Sequence, residues 1–226
     1  MFPRHIFVDL DGTLFSSDED IRDAWHSTLA ELNLDCPHFE NVFRVGPSLQ
    51  AMTEMLFPGT GLASKIVPVF KRHYDASPLY KTLPYPGVDG WLRHLAASGH
   101  RLYTLTNKRL KPTVMLVCRH GWQGLFASVL GSDSFDLPMP SKPALLKLAL
   151  ERFGIEPSSA AMVGDTPEDV EAGKCAGTFT VACNWGYAPM DLLRKSQPDV
   201  ILSLSDIVDK SKSSSKEVAL NECNGT

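Results

Sequence analysis

Short, almost unbroken apolar runs that stop at polar residues recur along this chain, and they leave few architectures open. The runs are Ile6-Phe7-Val8-Asp9, Leu102-Tyr103-Thr104-Leu105-Thr106, Ser128-Val129-Leu130-Gly131-Ser132-Asp133, Ala161-Met162-Val163-Gly164-Asp165, Phe179-Thr180-Val181-Ala182-Cys183 and Val200-Ile201-Leu202. They are short, rich in β-branched or aromatic residues, and too continuously apolar for a strand with one wet face. Each therefore reads as a strand covered on both sides. Helical spacings lie between them. Val88, Trp91, Leu92, Leu95 and Ala96 share a face between Gly87 and Ser98. Leu145, Leu146, Leu148, Ala149 and Phe153 do so after Pro143, and a third helix runs from Thr166-Pro167 to about Ala176, stopped by Gly177. This alternation predicts an α/β fold, a Rossmann-like parallel sheet covered by helices.

The segment 16–81 breaks the pattern. Ile21, Ala24, Trp25, Leu29 and Leu32 recur on one helical face and Met52, Met55 and Leu56 on another, with no buried strand among them. It reads as a helical domain inserted after the first strand, with Pro84 and Pro86-Gly87 marking the return. Residues 1–15 and 82–209 then form the core. The remainder, 210–226, opens with Lys210-Ser211-Lys212-Ser213-Ser214-Ser215-Lys216 and is expected to be disordered.

In parallel sheets of this kind ligands sit beyond the carboxyl ends of the strands. Those ends carry Asp9 with Asp11, Thr106, Asp133 and Asp165, and Lys142 follows closely. In Asp9-Leu10-Asp11-Gly12-Thr13, one carboxylate can attack phosphorus while the other passes a proton to the leaving oxygen and then activates water. Gly12 lets the chain turn sharply out of the strand. Thr13 can position Asp11 or touch phosphate. Asp165 and Asp169 in Gly164-Asp165-Thr166-Pro167-Glu168-Asp169 add hard oxygen donors which, with Asp9 and the backbone carbonyl of Asp11, suit Mg²⁺; Asp169 can act through water or by orienting a ligand. Thr106 and Asn107 can hold phosphate oxygens, and Lys142 can neutralise both nucleophile and phosphate. Each piece has a plainer reading: an acidic turn, a helix cap at Asp165 or Thr166, a polar turn at Thr106, a solvated lysine. Their joint position at the strand ends favours phosphoryl transfer.

These four motifs, in this order, resemble the haloacid dehalogenase superfamily of phosphohydrolases. The resemblance runs from about Ile6 to Val208, and the insertion falls where one branch of that superfamily carries a helical cap. It implies that Asp9 is the nucleophile, Asp11 the acid/base, and that Mg²⁺ is held by the first and last motifs. Within the superfamily Thr106-Asn107-Lys108, Lys142-Pro143, Gly164-Asp165-Thr166 and Asn184-Trp185-Gly186-Tyr187 are similar to phosphoglycolate phosphatases of the bacterial type. Two departures stand out. That group usually has Asp-Ser where this chain has Ser16-Ser17, at the hinge of the insertion, and often a second proline where this chain has Leu145.

The expected activity is thus hydrolysis of a small phosphomonoester through an aspartyl-phosphate. A pyrophosphatase, nucleotide or sugar-phosphate phosphatase, a phosphosugar mutase and a non-catalytic binding module are the alternatives. The insertion should choose the substrate, with Arg44, Lys65, Lys71 and Arg72 as candidate cations for its non-reacting end. A net charge of -4 points to neither nucleic acid nor an anionic membrane as partner. Five cysteines without Cys-x-x-Cys spacing make neither a disulfide framework nor a zinc site, and reduced thiols fit a cytoplasmic protein. The histidines show no ligand spacing. Met1 to His5 runs straight into a strand with no leader, and no apolar run is long enough for a bilayer. A monomer or homodimer is expected.

Overall fold

A computed structural model describes residues 2–135 and 141–208. The first strand, β1 (His5–Val8), is followed by the two-residue β2 (Phe15–Ser16). Four helices come next: α1 (Asp18–Glu31), α2 (Phe39–Val42), α3 (Leu49–Leu56) and α4 (Ala63–Ala76). The chain returns through β3 (Leu83–Pro84), α5 (Val88–Ala97), β4 (Arg101–Thr104), α6 (Leu110–Arg119) and β5 (Phe126–Ser128). It ends with α7 (Lys142–Phe153), β6 (Ala160–Gly164), α8 (Pro167–Ala176), β7 (Phe179–Cys183), α9 (Met190–Lys195) and β8 (Val200–Leu202).

Six strands form one parallel sheet in the order β5-β4-β1-β6-β7-β8. Both faces are covered, as the unbroken apolar runs require. Ile6 and Val8 belong to the cluster that includes Trp91, Leu92 and Leu95 of α5. Phe7, pointing the other way, belongs with Leu145, Leu146 and Leu150 of α7 and with Met162. The chain builds outward from β1 to β4 and β5, then crosses back to lay β6, β7 and β8 on the other side. The reversal leaves a crevice at the carboxyl end of β1, between β4 and β6, where open α/β sheets bind ligands.

The helices α1–α4 lie between β2 and β3, which pair antiparallel, Phe15 with Pro84 and Ser16 with Leu83. Both connections to the sheet therefore run side by side. Within the helical segment Trp25 of α1 packs on Phe70 of α4, ring centroids 5.0 Å apart. Its apolar residues join the cluster on the α5 side of the sheet rather than forming a separate core.

The run Ser128–Asp133 is not a strand. The third sheet strand is β5, earlier and shorter, and its pairing with β4 shifts register between Leu102 and Tyr103. Beyond that shift the Thr104 hydroxyl accepts from the Leu130 N–H (2.7 Å) and donates to the Leu130 carbonyl (3.0 Å), so a side chain holds the Leu130 backbone. Asp133 thus lies in a loop rather than at a strand end. The tail 210–226, expected to be disordered, and Cys223 lie outside the described residues.

Candidate active site

The loop leaving β1 is held by its own backbone. The N–H groups of Leu14 and Phe15 both donate to the Leu10 carbonyl (2.8 and 2.9 Å), and Gly12 N–H donates to Phe15. Gly12 has φ +83, and a Cβ there would sit 2.2 Å from Asp165 Oδ2. Only glycine allows both the turn and the approach of Asp165.

That approach gathers three carboxylates. Oxygens of Asp9, Asp165 and Asp169 lie within 4.8 Å of one another, all buried. Lys142, at the first turn of α7 and 2% exposed, reaches Asp169 Oδ1 at 2.6 Å and Asp9 Oδ2 at 3.1 Å. Asp165 accepts from the Tyr187 N–H (2.7 Å) and from the Thr13 hydroxyl (3.1 Å). Asp169 completes a capping box with Thr166, whose N–H and hydroxyl donate to Asp169 Oδ2. Among the described residues, the buried acceptors Asp9 Oδ1 and Asp11 Oδ1 have no hydrogen-bond partner.

Electrostatics follow from this crowding. Burial pushes the Asp9 carboxyl up to about 7; Lys142 opposes the shift, while Asp169 and Asp11 add to it. Burial raises the Asp165 carboxyl well above its ordinary value; Asp169 and Asp9 add to the shift, while the Tyr187 N–H and Lys142 oppose it. Lys142 stays protonated although burial works against it, because Asp169 and Asp9 hold the charge in place. Three converging carboxylates that share the single charge of Lys142 form a hard-oxygen donor set suited to a small divalent cation.

The Asp9 carboxyl is raised from 3.8 to about 7 in the folded chain, so its contribution is full below pH 3.8 and is lost as pH rises through about 7. Asp165 shifts in the same direction. Acids pulled down by partners, such as Asp89 and Asp133, titrate below this window. Urea midpoints in the presence of a chelator should therefore fall across that interval. Added Mg²⁺ should raise the midpoint more at pH 8 than at pH 5, because at pH 8 it displaces no proton. A Mg²⁺ effect independent of pH would contradict this picture.

The opposite wall comes from the loop after β4. Thr106 is buried, and its Oγ1 accepts from the Lys108 N–H (3.2 Å), which leaves the hydroxyl proton to point elsewhere. Asn107 Nδ2 donates to the Gly46 carbonyl (3.2 Å) and to Glu168 Oε2 (3.1 Å), joining the helical segment to α8. Lys108 Nζ is buried 3.0 Å from Asp11 Oδ2, donates to the Tyr74 hydroxyl, and stands 4.4 Å over the Tyr74 ring. Arg109 pairs with Asp75 of α4 and with Asp133. The motif Thr106-Asn107-Lys108 marks this loop in the sequence but assigns the lysine side chain no role.

Asp9, Asp11, Thr106, Asn107 and Lys142 line one pocket, roofed by Trp25, Arg44, Lys71 and Tyr74. Asp165 and Asp169 stand beside Asp9. Thr13 is fully buried, its hydroxyl on Asp165 rather than on Asp11. Of the four candidate cations, Arg44 and Lys71 line the pocket, whereas Arg72 is paired with Glu31 and Lys65 lines neither this pocket nor the wider cavity outside it.

The model of the haloacid dehalogenase-like hydrolases matches residues 6–183. A phosphoglycolate phosphatase of Aquifex aeolicus is 37% identical over 91% of the chain and 95% of that protein. Another, from Rhodospirillum rubrum, is 34% identical over 82% of the chain and 81% of its own length. Among solved structures, a haloacid dehalogenase-like family protein from Streptococcus pneumoniae superposes with a TM-score of 0.78 at 26% identity, covering 90% of this chain and 94% of that one. No described helix is long and apolar enough to cross a membrane.

Proposed function

The chain belongs to the haloacid dehalogenase-like hydrolases, and from that premise we propose that it is a Mg²⁺-dependent phosphatase acting on a small, phosphoglycolate-like monoester through an aspartyl-phosphate on Asp9. The observation that carries the reading is the buried Asp9 Oδ1, unpartnered among the described residues, in the pocket lined also by Asp11, Thr106 and Lys142.

Asp9 Oδ1 forms a bond to phosphorus while the bond from phosphorus to the leaving oxygen breaks. Asp11 gives that oxygen its proton. It then takes a proton from the water that attacks phosphorus and frees Asp9. Lys142 and Lys108 place two buried positive charges around the transferring group. Thr106 donates its hydroxyl proton to a phosphoryl oxygen. Asp9, Asp165 and the Asp11 backbone carbonyl would hold Mg²⁺, whose charge offsets the carboxylates and the phosphoryl oxygens when bound. Asp169 has both oxygens engaged by Lys142 and Thr166, and it serves by fixing Lys142. The helices α1–α4 act as the cap, with Arg44 and Lys71 set to meet a carboxylate at the far end of the substrate.

A phosphate-release screen with Mg²⁺ over phosphoglycolate, pyrophosphate, nucleotides and sugar phosphates tests the reading. Phosphoglycolate should give the highest kcat/KM, and no release from any of them would overturn the proposal. Lys71→Ala should raise KM for phosphoglycolate by about tenfold or more, the worth of a hydrogen bond to a charged group. It should leave p-nitrophenyl phosphate, which has no carboxylate, nearly unchanged. Equal effects on both substrates would remove Lys71 from substrate recognition.

A further inference from the structure

The first turn of α1, where the helical segment leaves the sheet, lacks its usual cap. Ser17 occupies the N-cap position but its side chain makes no capping bond. The exposed donors of a helix start need acceptors. Here the acceptor comes from far along the chain: the Tyr187 hydroxyl takes the N–H of Ser17 at 2.6 Å and that of Asp18 at 3.0 Å. A phenolic oxygen has lone pairs for both. Tyr85, next to β3, brings its hydroxyl to Ser16 and Tyr187. The chain entering α1 is thus tied to that one side chain.

The same residue holds the site from its other end. The Tyr187 N–H donates to Asp165 Oδ2 at 2.7 Å. The segment packs closely on the site. Trp185 Nε1 donates to the Thr13 carbonyl (3.0 Å), and a Cβ on Gly186 would lie 2.3 Å from the Asp165 Cβ and 2.4 Å from the Gly12 carbonyl. One residue therefore spans from a carboxylate of the buried acid cluster to the hinge of the cap.

We propose that Tyr187 is a positioning residue that couples the Asp165 carboxylate to the seating of α1, so that a cation bound at the acid cluster steadies the hinge of the cap. The proposal rests on Asp165 being a metal ligand, and it does not require the substrate assignment. When a cation fixes Asp165, the Tyr187 backbone is fixed with it, and the hydroxyl is held against the Ser17 and Asp18 N–H groups. The cap hinge is then most rigid in the metal-loaded protein.

Amide hydrogen exchange on the full chain, with and without Mg²⁺, tests this. In the unmodified protein saturating Mg²⁺ should slow exchange at Ser17 and Asp18 by about tenfold. Tyr187→Phe keeps the ring and the backbone N–H, so Mg²⁺ affinity by calorimetry should stay within about twofold. The Mg²⁺-dependent protection at Ser17 and Asp18 should disappear in that variant. Amides of β6 and β7 report in the same experiment that the core remains folded. Equal Mg²⁺-dependent protection in both proteins, or none in the unmodified one, would overturn the coupling. Protection without any phosphate release would instead support the coupling and count against the phosphatase reading.

Discussion

Asp9→Asn is expected to lower Mg²⁺-dependent phosphate release by about 10⁴-fold or more, the scale seen when a covalent nucleophile is removed. The substitution barely changes shape, so the loss would come from chemistry. An amide oxygen is a poor nucleophile, and the cluster loses one of its three carboxylates. The effect on stability should run the other way. Asp9 is 3% exposed, and burial pushes its carboxyl up to about 7, so at pH 8 the folded chain carries that charge at a cost the unfolded chain does not bear. In chelator at pH 8, Asp9→Asn should therefore unfold at an equal or higher urea concentration than the unmodified protein. Together the two measurements separate a catalytic role from a structural one. A variant that is inactive because it is unfolded would fail the second, and one that turns over at the original rate would remove Asp9 from the mechanism.

The parts of this site that the sequence announces are those fixed by the sheet. A run such as Ala161–Gly164 is buried on both faces, so its register is set by packing and the residue after it, Asp165, must emerge at the carboxyl edge. The same reasoning places Asp9 one residue past β1 and Thr106 two residues past β4. It fails at Asp133, beyond the point where the Thr104 side chain holds the Leu130 backbone. The side-chain contacts of Lys108, Tyr74 and Tyr187 were not legible, although Lys108 and Tyr187 stand in the motifs Thr106-Asn107-Lys108 and Asn184-Trp185-Gly186-Tyr187. Each owes its position to a partner distant in the chain: Lys108 to Asp11 and Tyr74, Tyr187 to Ser17 and Asp165. No local pattern of spacing or propensity encodes such pairs.

Lys142→Met should produce the largest loss of stability of any single change at this site, and the loss should depend on metal and pH in a predictable sense. Lys142 Nζ lies 2.6 Å from Asp169 and 3.1 Å from Asp9, with 3% of its side chain exposed. Methionine fills much the same volume without charge, which leaves the buried carboxylates facing one another with no neighbouring cation. Breaking a buried pair from one side costs about 3–5 kcal/mol, and for a chain of this length that corresponds to a fall in Tm of about 10 °C. The deficit should be greatest in chelator at pH 8, where the acids are ionised. It should shrink as pH falls below about 7 and Asp9, already raised to that value and raised further without Lys142, takes up a proton. Mg²⁺ at pH 8 should recover part of it, because a divalent cation supplies the missing positive charge. Turnover should stay about 10²-fold or more below normal even with Mg²⁺ saturating, since the cation that Lys142 presents to the phosphoryl group would still be absent. Urea midpoints for Lys142→Met that match the unmodified protein in chelator at pH 8 would show that the three acids are not held together against their own repulsion, and the electrostatic account of the site would fall with them.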